Sequence, residues 1–345
     1  MDNYKVALVI PTLNEEKFIS ACLDSIVFQT FPFAMMDVMV IDGGSNDKTK
    51  EIVLQYCEKY SNIRLIHNPK RIQSAAFNIG VASSTAPFVI RLDAHATYCD
   101  KYIENCLKKF SAKAEDLGCA PENIGNVGGV WNIRPQHLGL IAESSAILNK
   151  SRFGIGGAAF RLGTKAGFVD TVPFGCFPRN VIYKVGGMRE DLPRGEDNEY
   201  NSRIRKAGYK IYMDPQIVST YYSRDTFGKN IRQMYSNGKS IGHLMYIDRE
   251  SVGLRHLIPL LFVTFIICGI LLSFVTPVFT YVFFIGIGAY LLADLCASVS
   301  AAKKYGIRFL FPLFILFLSV HLSYGVGTII GLINGEKPRN TKKMI

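Results

Sequence analysis

The sequence predicts an α/β domain with a mostly parallel sheet, followed by hydrophobic helices long enough to enter a membrane. Three observations carry this expectation. The first 95 residues alternate short β-branched runs with helical patterns, which is how βαβ units read. Residues 257–293 contain no charged side chain, and neither do residues 309–335. Before residue 257 the charges are dense and mixed, as in a soluble globular domain.

Taken in order, residues 5–10 read as a buried strand. Residues 15–28 read as a helix with Phe18, Ile19, Cys22, Leu23, Ile26 and Val27 on one stripe. A second strand covers 37–41 and ends in Asp42-Gly43-Gly44-Ser45. Asp47 then caps a helix running to about Tyr60, with Ile52, Val53 and Tyr56 facing inward. Strands at 63–67 and 88–92 bracket a helix near 74–82. After Asp100 the pattern becomes mixed, with a Gly-rich stretch at 154–163 and a clear helix at 197–207.

A helix crossing the hydrocarbon core needs about 20 apolar residues. The tract at 257–299 is long enough for two such helices turning near Thr276-Pro277, and the tract at 309–333 for one. Ahead of them, residues 228–255 mix Lys229, Arg232, Lys239, Arg249 and Arg255 with Ile231, Met234, Tyr235, Ile241, Leu244 and Met245. This reads as an amphipathic segment lying on the bilayer, or alternatively as a solvated helix packed on the domain. The expected division is therefore a catalytic-type domain at 1–227, an interfacial segment at 228–256, a membrane domain at 257–335 and a basic tail at 336–345.

The formal net charge is +11. It is spread over the chain rather than gathered on one motif, which argues against a nucleic-acid partner. Basic residues collect at Lys303, Lys304 and Arg308, and again at Lys337, Arg339, Lys342 and Lys343. The positive-inside tendency would keep both groups cytoplasmic, yet three full spans would separate them. Either one segment is re-entrant or the basic tail is exported. No secretory leader is apparent at the amino terminus. The eight cysteines include no C-x-x-C pair and read as thiols of a reducing compartment. The expected location is the inner membrane, multi-pass, with the domain in the cytoplasm.

In open α/β sheets, ligands bind beyond the carboxyl ends of the strands. Three such ends carry polar groups here: Pro11-Thr-Leu-Asn14-Glu15, Asp42-Gly43-Gly44 and Asp93-Ala-His95. Asp93 and His95 project to one side of a short segment and can hold a divalent cation against a diphosphate. A bare D-x-H is also common at surface turns. Asp42 can accept hydrogen bonds from a base or ribose while the glycines let backbone approach a ligand. Asn14 and Glu15 equally suit a helix start. Glu196-Asp197 opens a helix, where the dipole alone could justify the acids. The functional alternative is a general base that deprotonates an acceptor hydroxyl.

These motifs, in this order, resemble family 2 glycosyltransferases with a GT-A fold, a Rossmann-like mixed sheet. The resemblance runs from Val6 to about Lys239 and is nearest to bacterial succinoglycan-type exopolysaccharide transferases. The segments that carry it are Asn68-Pro-Lys-Arg-Ile-Gln-Ser-Ala-Ala-Phe-Asn78, Arg91-Leu-Asp93-Ala-His95-Ala, Phe153-Gly-Ile-Gly-Gly157, Val169-Asp-Thr-Val-Pro-Phe-Gly175 and Glu196-Asp197-Asn-Glu199. By that resemblance, Pro11, Asn14, Glu15 and Asp42 would contact the nucleotide, and Asp93 and His95 would hold Mn2+ or Mg2+. Asp197, with Glu196 beside it, would act as the base. Arg71 and Arg91 would serve the donor's phosphates, although Arg91 could equally be a structural pair for Asp93. The family implies inversion at the anomeric carbon.

Two departures stand out. Many relatives carry Asp-x-Asp where this chain has Asp93-Ala-His95. The Q-x-x-R-W motif of processive synthases is replaced by Gln233-Met-Tyr-Ser-Asn-Gly238-Lys239, which implies single-sugar transfer. The expected activity is transfer from a UDP-sugar, glucose or galactose, to a lipid-linked (polyprenyl diphosphate) saccharide at the membrane lipid surface. The alternatives are a polyprenyl-phosphate sugar synthase and a non-catalytic membrane partner.

Overall fold

A computed structural model describes residues 4–163, 165–192 and 194–335. From the amino end, β1 (Val6–Thr12), α1 (Ile19–Val27), β2 (Met36–Asp42), α2 (Thr49–Lys59), β3 (Ile63–His67), α3 (Gln73–Ala82) and β4 (Phe88–Arg91) alternate. Then come β5 (Ala96–Tyr98), α4 (Tyr102–Lys109), α5 (Ala114–Leu117) and β6 (Ile124–Pro135). The next elements are α6 (Leu140–Asn149), the single turns α7 (Arg152–Ile155) and α8 (Ala159–Leu162), β7 (Gly167–Val169) and β8 (Cys176–Pro178). The remainder is α9 (Arg179–Val185), α10 (Glu196–Lys206), β9 (Lys210–Ser223), α11 (Phe227–Ile247), α12 (Leu254–Ser273), α13 (Pro277–Tyr305) and α14 (Leu310–Ile333).

The chain divides into two units. The first runs to Asn132 and resumes over Gly163–Tyr221; the second is Ile133–Leu162 together with residues 222–335. This differs from the boundary drawn at residue 227, because the span 133–162 buries its apolar side chains with the C-terminal helices. Ile147 and Leu148 share a core with Leu313, Leu316 and Phe317. The expected basic tail at 336–345 lies outside the described residues.

Within the first unit the sheet order is β3-β2-β1-β4-β8-β6-β9-β5, with β7 on β9. β1 pairs in parallel with β2 and β4, and β2 with β3, whereas β4–β8 and β6–β8 are antiparallel. The apolar runs of β1 and β2 are continuous because both faces are covered. Leu8, Ile10, Val38 and Val40 face the core that includes α1 and α4. Ala7, Val9, Met39 and Ile41 face the one that includes α3, α9 and α10. Gly80 lets α3 touch β1, since a Cβ there would come within 2.4 Å of Val9 Cγ2. All eight cysteines are free thiols.

Strand and helix positions follow the sequence pattern closely, with two informative shifts. The helix expected from residue 15 begins at Ile19, because Asn14 sits at φ 56° and residues 16–18 form a turn. Asp47 lies one position before the true N-cap, Lys48. It still accepts the Thr49 amide at 3.0 Å and also that of Glu16 at 3.2 Å, tying the two loops together.

Within the second unit, the segment read as amphipathic is one 21-residue helix, α11. Its apolar residues Met234, Ile241 and Leu244 are buried, and the helix packs lengthwise on α14. Glycines permit this. A Cβ on Gly238 would lie 2.0 Å from the Tyr324 carbonyl, and one on Gly331 would lie 2.1 Å from that of Lys239. Tyr246 Oη donates to Leu332 O at 2.7 Å.

Candidate active site

Register brings the predicted residues together. Thr12 is paired with Asp42, Asp42 with His67, and Val9 with Arg91. The loops after β1, β2, β3 and β4 therefore leave the sheet side by side.

Asp42 is buried, and its oxygens accept the amides of Gly44 and Ser45 and the Ser45 hydroxyl. Sequence reasoning found no structural reason for this acid; the turn it braces supplies one. Gly44 adopts φ 84° there, a conformation that favours glycine. Asn14 joins the same turn, giving its amide to Ser45 Oγ at 2.9 Å and accepting the Asn46 amide at 2.9 Å. Glu15 is fixed by Thr49 Oγ1, 2.8 Å from its amide, and Pro11 is half-buried opposite Ile41. Arg71, at φ 59°, brings its Cα to 3.4 Å from where a Gly43 Cβ would lie. Its side chain is exposed.

Arg91 has different surroundings. Its side chain is 5% exposed and faces three carboxylates: Asp197 at 2.8 Å, Asp93 at 3.1 Å and Glu196 at 3.8 Å. The Gln73 side-chain oxygen accepts from the same guanidinium at 2.7 Å. Burial disfavours its charge, but the three acids outweigh that and hold its pKa above the ordinary arginine value. Its charge is thus spent inside the protein. This geometry favours the alternative of a structural pair for Arg91, extended from Asp93 to three acids. Arg71 is an exposed cation beside this turn.

Glu196 and Asp197 open α10, where three acids in the first turn meet the positive end of the helix. The preceding loop is fastened to α3 by Asn78, which exchanges hydrogen bonds of 2.8 Å with the Met188 amide and carbonyl. The two acids differ sharply. The Asp197 side chain is 41% exposed and Glu196 7%. Burial pushes the Glu196 carboxyl up to about 7; the neighbouring Asp197 charge adds to this and Arg91 opposes it.

Asp93 Oδ2 and His95 Nε2 lie 4.0 Å apart, and His95 Nδ1 is 3.1 Å from Glu15 Oε1. A proton on Nδ1, shared with Glu15, leaves Nε2 as the basic nitrogen on the Asp93 side. Tyr98 steadies this loop, its hydroxyl accepting the Asp93 amide at 2.7 Å and donating to the Asp93 carbonyl at 3.1 Å. Among the described residues no group of three or more His, Cys, Asp or Glu side chains could hold a metal ion. A two-donor arrangement fits a hard cation that keeps several waters and takes its remaining ligands from substrate phosphates.

Gln73, Asn78 and Tyr98 were missed as supports by sequence reasoning. Gln73 and Asn78 lie inside the quoted 68–78 segment; Tyr98 carried no signal beyond its position near Asp93.

The sheet gathers these acids at its carboxyl edge, and comparison with known proteins gives the class. Residues 7–168 match the family described as "Glycosyl transferase family 2". The succinoglycan biosynthesis protein ExoA of Rhizobium meliloti (strain 1021) is 31% identical over 73% of this chain and 74% of its own length. A Methanococcus voltae protein is 28% identical over 96% of this chain and 98% of its own. It is named dolichyl N-acetyl-alpha-D-glucosaminyl phosphate 3-beta-D-2,3-diacetamido-2,3-dideoxy-beta-D-glucuronosyltransferase. Among solved structures, mannosyltransferase PcManGT from Pyrobaculum calidifontis, in complex with GDP-Man and Mn2+, aligns with a TM-score of 0.57. The alignment is 18% identical and covers 93% of this chain and 86% of that one; at that identity the likeness concerns the fold. The chain belongs to the family 2 glycosyltransferases, and it is an enzyme of that class with the GT-A fold.

Proposed function

We propose that this enzyme transfers one sugar from a UDP-sugar, glucose or galactose, to a hydroxyl of a lipid-linked (polyprenyl diphosphate) saccharide, with inversion. The observation that carries the proposal is the pairing of Asp197 with Arg91 at the amino end of α10, close to Asp93. A carboxylate there is oriented by the guanidinium, yet its side chain stays open to an incoming hydroxyl. In this reading Asp197 takes the hydroxyl proton as the acceptor oxygen attacks the anomeric carbon, and the nucleoside diphosphate leaves from the opposite face. Arg91 is a positioning residue.

Asp93 and His95 would hold Mn2+ or Mg2+, which neutralises the departing diphosphate. Arg71 adds an exposed positive charge at the same edge. The Asp42–Ser45 turn and Asn14, with Pro11 and Glu15, shape the nucleotide side. Glu196 completes the charge cluster around Arg91. Two features support a lipid-linked saccharide acceptor. The apolar C-terminal helices are long enough to cross a membrane, and the Methanococcus voltae relative is named for a β-transfer onto a dolichyl-linked sugar phosphate. The enzyme would sit in the inner membrane, multi-pass, with the first unit in the cytoplasm.

The test is a panel of radiolabelled nucleotide sugars incubated with the purified enzyme, Mn2+ and a membrane lipid extract. Label in the lipid fraction, attached to another sugar and stable to alkali, supports the reading. Label attached directly to phosphate would instead indicate a polyprenyl-phosphate sugar synthase.

A further inference from the structure

Three helices of the second unit are long and apolar enough to cross a bilayer, but their surroundings differ. In the most apolar stretch of α12 6% of residues are buried, in that of α13 11%, and in that of the Ile307–Ile333 segment 44%. α12 and α13 display Ile258, Leu261, Leu271, Phe284, Ile285 and Leu292 to the outside, each at least 62% exposed. The two helices form a hairpin, with Phe262 stacked on Tyr290 at 3.9 Å. α14 is covered by α11 and by the 140–155 span, and on another side by α12 and α13, where the Tyr290 hydroxyl lies 2.8 Å from His321 Nδ1.

Where α11 covers α14, its outer side carries exposed cations. Contacts between α11 and α14 advance in the same direction along both helices. Gly238 meets Tyr324 and Thr328, Gly242 meets Thr328 and Leu332, and Tyr246 meets Gly335. The two helices are therefore parallel neighbours. A crossing takes about 20 residues, nearly all of the 24 in α14. If α14 crossed, α11 would cross beside it and carry Arg232 and Lys239, both exposed, into hydrocarbon. Charges at that depth are rare unless they face a protein interior. The first half of α14 is in the same position. It packs on Ile147, Leu148 and Phe153, beside Lys150 and Arg152, which are exposed, and Arg308 pairs with Glu143 at 2.7 Å.

We propose that only α12 and α13 cross the bilayer, as a hairpin, and that α11 and α14 lie together in the interfacial layer on the side from which the hairpin enters. α12 is 20 residues long, about 30 Å at 1.5 Å per residue, which matches the hydrocarbon thickness. α13 has 29 residues and outlasts it, which brings Lys303 and Lys304 back to the entry side. An even number of crossings places these lysines, Arg308 and the basic residues from Lys337 to Lys343 on one face, as the positive-inside tendency asks. The conflict between three spans and two basic groups disappears, because the third apolar tract does not cross.

The full-length enzyme with a protease-cleavable tag after Ile345 tests this in right-side-out and inverted membrane vesicles. A second form carries Thr276→Cys at the hairpin tip, with all eight native cysteines changed to Ala. Its probe is a membrane-impermeant maleimide. The expected result is a tag cleaved only in inverted vesicles and a tip cysteine labelled only in right-side-out ones. A tag cleaved in right-side-out vesicles shows that α14 crosses and overturns the proposal. So does a tip cysteine labelled only from the inner side or from neither side. The tag readout needs no substitution, so it decides the side of α14 even if the cysteine form fails to fold.

Discussion

Arg91 and Asp197 stand 106 residues apart in the chain, yet one guanidinium nitrogen of Arg91 lies 2.8 and 2.9 Å from the two carboxylate oxygens of Asp197. β4 contributes the arginine and α10 the acid, so this contact joins the parallel half of the sheet to the helix that presents the proposed base. Removing Arg91 leaves Asp93, Glu196 and Asp197 facing one another without a counter-charge. Arg91→Ala is predicted to cost on the order of 3 kcal/mol of stability, typical of a broken buried pair. Arg91→Lys keeps the charge but cannot fork between Asp197, Gln73 and Asp93. It should fold with a lower Tm and a reduced kcat. Thermal unfolding in detergent and single-turnover assays measure both.

Arg71 should behave differently. It is exposed beside the Gly43 turn and holds no part of the core. Arg71→Ala is predicted to leave the Tm unchanged and to raise KM for the nucleotide sugar about tenfold, the weight of one charge-assisted contact. Initial rates across donor concentrations distinguish this from the Arg91 variants.

Metal dependence is predicted from the Asp93–His95 pair. EDTA should abolish transfer, and Mn2+ should restore it. His95→Ala is predicted to raise the Mn2+ concentration for half-maximal activity about 10- to 100-fold, and Glu15→Gln, which loosens the imidazole, to raise it less. His95→Asp gives a harder, more anionic donor set, so preference should move from Mn2+ toward Mg2+. Metal titrations of initial rate read all three.

Glu196 sets a pH signature in stability. Its carboxyl is raised from the ordinary 4.5 to about 7, first by burial and then by Asp197. The folded protein therefore favours the neutral form. That contribution is fully present below about pH 4.5 and is lost as pH rises through about 7. Glu196→Gln should flatten this decline, so that its Tm advantage over the unaltered enzyme is larger at about pH 8 than at about pH 5.

The α11–α14 contact gives a prediction for the second unit. Gly238→Val forces side-chain atoms against the Tyr324 carbonyl, which lies only 2.0 Å from where the first of them, the Cβ, would stand. This variant should not be recovered as a monodisperse protein. Gly228→Ala, with open space around it, should be silent. Size-exclusion profiles in detergent compare the two.

Much of this was legible in the sequence, for physical reasons. β1 and β2 read as strands because both of their faces are buried, so their apolar runs are uninterrupted. The carboxyl-edge residues could be placed because each follows such a run. Pairing was harder to read. No spacing rule links Arg91 to Asp197, since the contact depends on how β4, α3 and α10 fold over one another. Asp42 looked unexplained because the Ser45 turn it braces exists only in three dimensions. The span 133–162 is unremarkable in composition, and its place with the C-terminal helices comes from packing by side chains such as Ile147 and Leu148. Hydropathy marks α14 as a crossing helix as readily as α12, because it records the residues of a helix and not what lies beside them.

Asp197 is the proposed base in a sugar transfer to a hydroxyl. The most direct measurement is single-turnover transfer by Asp197→Asn, at saturating donor, acceptor and Mn2+. The substitution keeps the shape and removes the proton-accepting charge. The rate is predicted to fall about 10²- to 10⁴-fold, the usual worth of a positioned base, with donor affinity little changed and Tm lowered less than by Arg91→Ala, because Asp93 and Glu196 still face Arg91. A rate within about threefold of the unaltered enzyme, far short of what losing a base costs, would contradict this role and point to an attacker that is already ionised.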